Sequence, residues 1–195
     1  MQNLALARDD RYTWTDYRSW PDDERWELID GVAYSMAAAP TTRHQLVTGR
    51  IFSRLERQLS GKRCTPFIAP TDVRLSETDV VQPDVLVVCD PAKITSSHIE
   101  GAPELVAEVL SPSTSAKDLR EKKRLYQRSG VREYLVVDPL GLYAQRFVLS
   151  EQGRYGEPEI FGPQEVLPLT ALEGVEIALW EVFDLEPPAM AQSGA

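Results

Sequence analysis

This sequence predicts a mixed α/β (α+β) domain: a central mixed β-sheet flanked by helices, with an N-terminal helix and hairpin. Three observations carry the prediction. Asp84–Cys89, Glu104–Leu110 and Glu133–Asp138 are short, near-continuous apolar runs of the kind buried strands show. The segments 43–60 and 118–129 carry the period of amphipathic helices. Strand, strand, helix, strand in that order suits a layered fold with helices against a sheet.

Each element has a local cause. Thr13-Trp-Thr-Asp16 reads as a capping box, opening a short helix that stops near Pro21. Trp26 to Met36 reads as a hairpin with Asp30-Gly31 as its tight turn. Ala37 to Thr42 is a loop ending in a threonine cap, and Gly61 closes the helix after it. Asp72–Leu75 and Val80–Asp90 follow as strands around a polar turn, Ser76–Asp79. Pro83 interrupts the second run, as at an edge or a bulge. Ala92–Gly101 is read as loop, and Ser129-Gly130 stops the second helix. Tyr143–Leu149 is a further strand, Gly153–Pro168 is irregular, and Val175–Phe183 gives a short strand and a last turn. The expected organisation is a flexible start over 1–12, one domain over 13–185 and a disordered tail over 186–195.

Composition narrows the class. The chain has 195 residues, 43% hydrophobic and 26% charged, enough for one globular core. No run approaches the roughly 20 apolar residues of a membrane span, and the first ten residues are charged too early for a secretory signal. Cys64 and Cys89 are too few for a disulfide framework or a cysteine zinc site, which points to a reducing cytoplasm. There is neither an internal repeat nor a glycine-rich phosphate loop. The net charge of −9 opposes tight non-specific binding to nucleic acid. Locally the balance reverses: Arg43, Arg50, Arg54 and Arg57 fall within about 60° of one another on a helical wheel. Ile51, Phe52, Leu55 and Leu59 take the opposite side. The stripe is either a solvated face or a set of phosphate contacts.

The chemistry-bearing residues stand out against this background. With the helix from Asp118 taken at roughly 100° per residue, Lys122 falls among Leu119, Leu125 and Tyr126, while Arg120, Glu121 and Arg124 point away. An inward ammonium needs a partner, unless it snorkels to solvent. Along the strand through Glu108, Val106, Glu108 and Leu110 share one face. Glu108 is therefore an acid in an apolar strand, held by an ion pair with Lys122 or by a metal. Asp84 opens its strand after Pro83, as a turn residue or as a second ligand. Two acids and a lysine are the minimal kit for metal-dependent phosphodiester hydrolysis. Mg²⁺ takes one or two carboxylates plus waters, and the Val109 carbonyl is a candidate further ligand.

These residues lie in a recognisable order. Gln82-Pro-Asp84, then Val106-Ala-Glu-Val-Leu-Ser-Pro-Ser-Thr114, then Asp118, Lys122, Tyr126 and Gly-Val-Arg-Glu-Tyr-Leu-Val-Val-Asp-Pro139 resemble a bacterial family of restriction endonucleases and domains of unknown function. It lies within the PD-(D/E)XK nuclease superfamily. Glu27-Leu-Ile-Asp-Gly31 and His44 also match, and the resemblance runs from about Thr13 to Phe183. It implies a restriction-endonuclease-like fold and a Mg²⁺- or Mn²⁺-dependent DNA endonuclease, with Asp84 and Glu108 as catalytic acids and metal ligands. Leu110 stands where the superfamily motif has lysine. The resemblance implies that the lysine has migrated to the following helix, where wheel position and spacing to Tyr126 favour Lys122 over Lys123. Glu27 is a candidate third acid. His44, on the inward side of the arginine helix, either reaches the site or is a satisfied core histidine; with Arg50, Arg54 and Arg57 it makes the candidate substrate-binding set. A homodimer is expected from the fold, because cutting both strands of a duplex suits two-fold symmetry.

Two other functions compete. A catalytically inactive nucleic-acid-binding or interaction module on the same fold agrees with the acidic sequence. A hydrolase of small phosphoesters explains the acidity but not the arginine stripe. Fold does not choose among them.

Overall fold

The computed structural model describes residues 11–21, 24–36, 40–111 and 115–189. In chain order the elements are α1 (Trp14–Tyr17), β1 (Trp26–Ile29), β2 (Val32–Ser35), α2 (Thr42–Leu59), β3 (Thr65–Ile68), β4 (Val73–Ser76), β5 (Asp79–Val81) and β6 (Val85–Val88). A 3₁₀ turn (Pro91–Lys93), β7 (Ile99–Glu100) and β8 (Leu105–Val109) follow. Then α3 (Ser115–Lys117) runs through a π-helical stretch, Asp118–Lys122, into α4 (Lys123–Ser129). The chain continues as β9 (Glu133–Asp138), β10 (Tyr143–Val148), β11 (Glu159–Phe161), β12 (Val166–Pro168), β13 (Glu176–Ala178) and α5 (Leu179–Phe183).

The expected central sheet is divided. A six-stranded mixed sheet has the order β11-β10-β9-β8-β6-β3, with β8 and β9 parallel. A five-stranded sheet has the order β2-β1-β5-β4-β7. Gln82, Pro83 and Asp84 join β5 in one sheet to β6 in the other. Proline has no N–H to continue a ladder, so Pro83 falls where the chain changes sheets. It was expected at an edge or a bulge; the strand it precedes is instead interior, between β8 and β3.

The six-stranded sheet is covered on both faces. On one, Val47, Ile51, Leu55 and Leu59 of α2 meet Val85, Val87, Leu105, Ala107 and Val109. On the other, Leu125 and Tyr126 of α4 pack on Leu86, Val106, Tyr134 and Val136. Removing a fully buried side chain such as Leu125 would cost about 2–5 kcal/mol. Local predictions at the N-terminal end hold. Thr13 and Asp16 form both halves of a capping box on α1, and Asp30 and Gly31 turn the β1–β2 hairpin with φ of 54° and 74°.

Other expectations need correction. Residues 1–10 and 190–195 lie outside the described residues, but Tyr12, assigned to a flexible start, donates its N–H to the Gly31 carbonyl at 2.9 Å. The stretches 92–101 and 153–168 contain β7, β11 and β12 rather than loop alone. β3 was missed; its register pairs Thr65 with Val88, which sets Cys64 opposite Cys89 one step further on. The two cysteines form a disulfide, so they no longer point to a reducing compartment. Among the described residues no helix is long and apolar enough to cross a membrane.

Candidate active site

Four elements bring one polar cluster into an apolar interior. Alternation along β1 turns Glu27 and Ile29 to one face, with Ile29 in the core beneath α4. Alternation along β8 does the same for Val106 and Glu108. The helical turn supplies Lys122 between them. Glu27, Glu108 and Lys122 are only 0%, 3% and 3% exposed. The Lys122 ammonium is 2.8 Å from Glu27 Oε1 and 2.8 Å from Glu108 Oε1. Asp118, one turn earlier, lies 3.8 Å from it. The Tyr126 hydroxyl donates to the same Glu108 oxygen at 2.6 Å. Lys122 therefore does not snorkel to solvent; its charge is compensated in place.

A helix wheel placed Lys122 inward and located its face correctly. It missed the π-helical stretch, a local widening that recurs at functional sites. The widened turn buries Asp118 with Lys122. Lys117, five residues before Lys122, also reaches the cluster and pairs with Glu27 Oε2. Lys117 was overlooked because nothing in the local sequence marks a π insertion. Lys123 points elsewhere: its ammonium lies over the Phe147 ring, 4.1 Å from the centroid.

Asp84 approaches from the junction between the sheets. The register pairs Val85 with Ala107, which carries Asp84 to the end of β8. Its Oδ2 accepts the Val109 N–H at 2.8 Å. His44 Nε2 lies 3.2 Å from the same oxygen, and Thr48 Oγ1 is 3.4 Å from His44 Nδ1. His44 is thus buried and paired with Asp84, one of the candidate acids.

The electrostatics separate the acids. Burial pushes Glu27 up, but Lys122 and Lys117 outweigh it and bring its pKa down to about 2. Burial pushes Glu108 up to about 8; Lys122 opposes this, while Asp118, Asp84 and Glu27 add to it. Burial works against the Lys122 ammonium, yet Glu108, Glu27 and Asp118 hold its pKa well above the ordinary value. Burial also opposes the His44 imidazolium, and the bond to Asp84 prevails and raises it. At neutral pH Lys122 is therefore held as an ammonium, a hydrogen-bond donor to the acids around it.

The donor set bears on the implied metal. Among the described residues no three His, Cys, Asp or Glu side chains converge as a ready metal cage. Asp84 and Glu108 offer carboxylate oxygens at the end of one strand pair. That suits a hard ion of the Mg²⁺ kind, which takes one or two carboxylates and keeps several waters.

The arginine stripe divides. Arg50 pairs with Asp184 at 2.9 Å and donates to the Val182 carbonyl at 3.3 Å. Arg54 pairs with Glu181 at 2.8 Å. Both are partly covered by the α5 segment, so a wholly solvated stripe is ruled out for these two. Arg43 and Arg57 are exposed.

The model of the Uma2 family, described as "Putative restriction endonuclease", matches residues 14–180. The chain belongs to the Uma2 family. The uncharacterised protein slr1290 of Synechocystis sp. is 30% identical over 144 residues, covering 71% of this chain and 74% of that one. A second uncharacterised Synechocystis protein, sll1609, is 27% identical over 119 residues, covering 59% and 67%. The crystal structure of a "putative nuclease belonging to DUF820" from Anabaena variabilis superposes with a TM-score of 0.73 at 16% identity, covering 88% of this chain and 97% of that chain. At that identity the likeness concerns fold. The restriction-endonuclease-like resemblance and the mixed α+β fold are therefore borne out, and the family is nuclease-like.

Proposed function

We propose that this Uma2 chain is a metal-dependent endodeoxyribonuclease that hydrolyses phosphodiester bonds in DNA, with Mg²⁺ or Mn²⁺ as cofactor. The observation that carries the reading is the burial of Lys122 between Glu27 and Glu108, beside Asp84. A structural ion pair needs two partners; here a cation and several acids from separate elements meet at one strand end.

Asp84 and Glu108 would hold the ion. When bound, it lowers the pKa of its water and screens charge on the phosphate. The chain's own residues do the positioning. Tyr126 and Lys122 both hold Glu108 Oε1, which fixes the orientation of that carboxylate. Glu27 keeps Lys122 charged and in place. The Lys122 ammonium supplies positive charge where negative charge develops on the phosphoryl oxygens. The Val109 N–H and His44 fix the Asp84 carboxylate from the other side.

The test is cleavage of supercoiled and linear DNA in Mg²⁺ or Mn²⁺, comparing the natural chain with Asp84→Asn and Lys122→Ala. Metal-dependent cleavage that Asp84→Asn removes and Lys122→Ala strongly lowers supports the reading. Cleavage that survives Asp84→Asn overturns it. One observation favours a second reading, an inactive interaction module on the same fold: Arg50 and Arg54 are paired with acids of the chain rather than free for phosphate. Neither DNA binding nor cleavage under any metal condition would decide for that module.

A further inference from the structure

The face of β1 opposite Glu27 carries a pocket. Trp26 and Leu28 point that way, toward the N-terminal segment. Tyr12, Trp20, Pro21, Glu24, Trp26 and Ala33 line a cavity of about 170 Å³. Its aromatic walls meet at corners rather than stacking. The Tyr12 and Trp20 rings are 5.2 Å apart at 82°, and Trp20 and Trp26 are 5.6 Å apart at 68°. Ala33, buried in β2, contributes only a methyl group to the lining.

Polar contacts around this box are sparse and specific. Glu24 is exposed, and its Oε2 accepts the Trp26 indole N–H at 3.0 Å. That bond uses the Trp26 donor and anchors a carboxylate beside the rings. Among the described residues no cation pairs with Glu24. The Tyr12 wall is anchored too, by its N–H on the Gly31 carbonyl. The turn is shaped for this contact: a Cβ on Gly31 would stand 2.8 Å from Arg11 Cβ and 3.2 Å from the Tyr12 carbonyl.

We propose that this cage binds a small methylated quaternary ammonium compound of the choline type. Aromatic faces carry negative potential and attract a cation held within about 6 Å of their centroids. A carboxylate at the cage and a net charge of −9 reinforce that attraction. The choice among cations follows from hydrogen bonding. A lysine ammonium or a guanidinium brings several N–H donors that need acceptors, and the side chains lining the site offer only the Glu24 carboxylate and the Tyr12 hydroxyl. A methylated ammonium brings no N–H and sheds water readily. Its apolar methyl groups match the rings, and its charge matches Glu24.

Calorimetric titration of the full chain with choline chloride, at constant ionic strength, tests the proposal. The comparison ligand is the neutral isostere of choline in which carbon replaces nitrogen. Saturable choline binding at least about tenfold tighter than that of the isostere is expected. Glu24→Gln alters an exposed side chain and leaves the hairpin core intact; it should weaken choline about threefold and leave the isostere unchanged. Trp20→Leu should remove choline binding, with circular dichroism reporting that the fold is retained. No saturable binding of choline, or equal affinity for the neutral isostere, overturns the proposal, and so does full choline affinity in Glu24→Gln. None of these substitutions touches the Glu27–Lys122–Glu108 cluster.

Discussion

Lys122 and Glu27 meet at 2.8 Å although they come from different layers of the fold. Glu27 belongs to the five-stranded sheet, and Lys122 lies on the helical segment packed over the six-stranded one. The same ammonium holds Glu108 of that second sheet. One cation thus ties the two sheets together at the place where the candidate chemistry lies.

Lys122→Ala should lower cleavage by about 10²–10³-fold, the usual loss for one preorganised donor. In the absence of metal it should also destabilise by roughly 3–5 kcal/mol, because buried acids lose their partner. Lys123→Ala removes only the cation's stacking on the Phe147 face, at about 0.5–1 kcal/mol. DNA nicking in Mg²⁺ and thermal denaturation in a chelator measure the two effects. Equal loss in both variants would falsify the assignment of Lys122.

Metal binding should depend on two carboxylates. Calorimetry with Mn²⁺ is expected to show a site that Asp84→Ala and Glu108→Gln each abolish. A site indifferent to either substitution would separate the ion from these acids.

The two buried glutamates should affect stability in opposite pH ranges. Glu27 is drawn from 4.5 down to about 2, so its contribution is present above 4.5 and lost as pH falls toward about 2. Glu108 is raised from 4.5 to about 8, so its contribution is present below 4.5 and lost as pH rises through about 8. Glu27→Gln should flatten the acid limb of a denaturation-midpoint profile, and Glu108→Gln should flatten the limb between 4.5 and about 8. Identical profiles for both variants would contradict the opposite shifts.

The arginine stripe should separate by function. Changing Arg43 and Arg57 to Gln should reduce the salt slope of DNA binding by about 1 for each phosphate that is no longer neutralised. Changing Arg50 and Arg54 to Gln should instead loosen the α5 segment, at about 0.2–1 kcal/mol for each exposed pair. Filter binding across a salt series, paired with thermal melts, distinguishes the outcomes.

Local chemistry was legible in the sequence wherever neighbours along the chain decide. Thr13 and Asp16 signal their capping box, Asp30-Gly31 its turn, and alternation around Glu108 its face. The inward position of Lys122 follows from a helical period read over the segment 118–129. The order of motifs from Gln82 to Pro139, read against a known family, picked out Asp84, Glu108, Lys122 and Glu27. Of these, Glu27 and Glu108 meet directly at the Lys122 ammonium.

Tertiary structure decided what depends on distant partners. The change of sheet at Pro83 depends on β1 and β8 each offering an edge to a different strand. The Lys117–Glu27 pair joins residues 90 positions apart, through a widened turn without a sequence signal. Arg50 and Arg54 become buttresses of α5 because the chain returns there more than a hundred residues later. Cys64 and Cys89 pair because β3, weak as a sequence pattern, takes its register from β6. By itself the sequence determined periodicity, caps, turns and the chemical kit. Which acids share a cation, and which arginines are covered, was decided by packing, because a buried charge is stabilised only by the partner the fold brings to it.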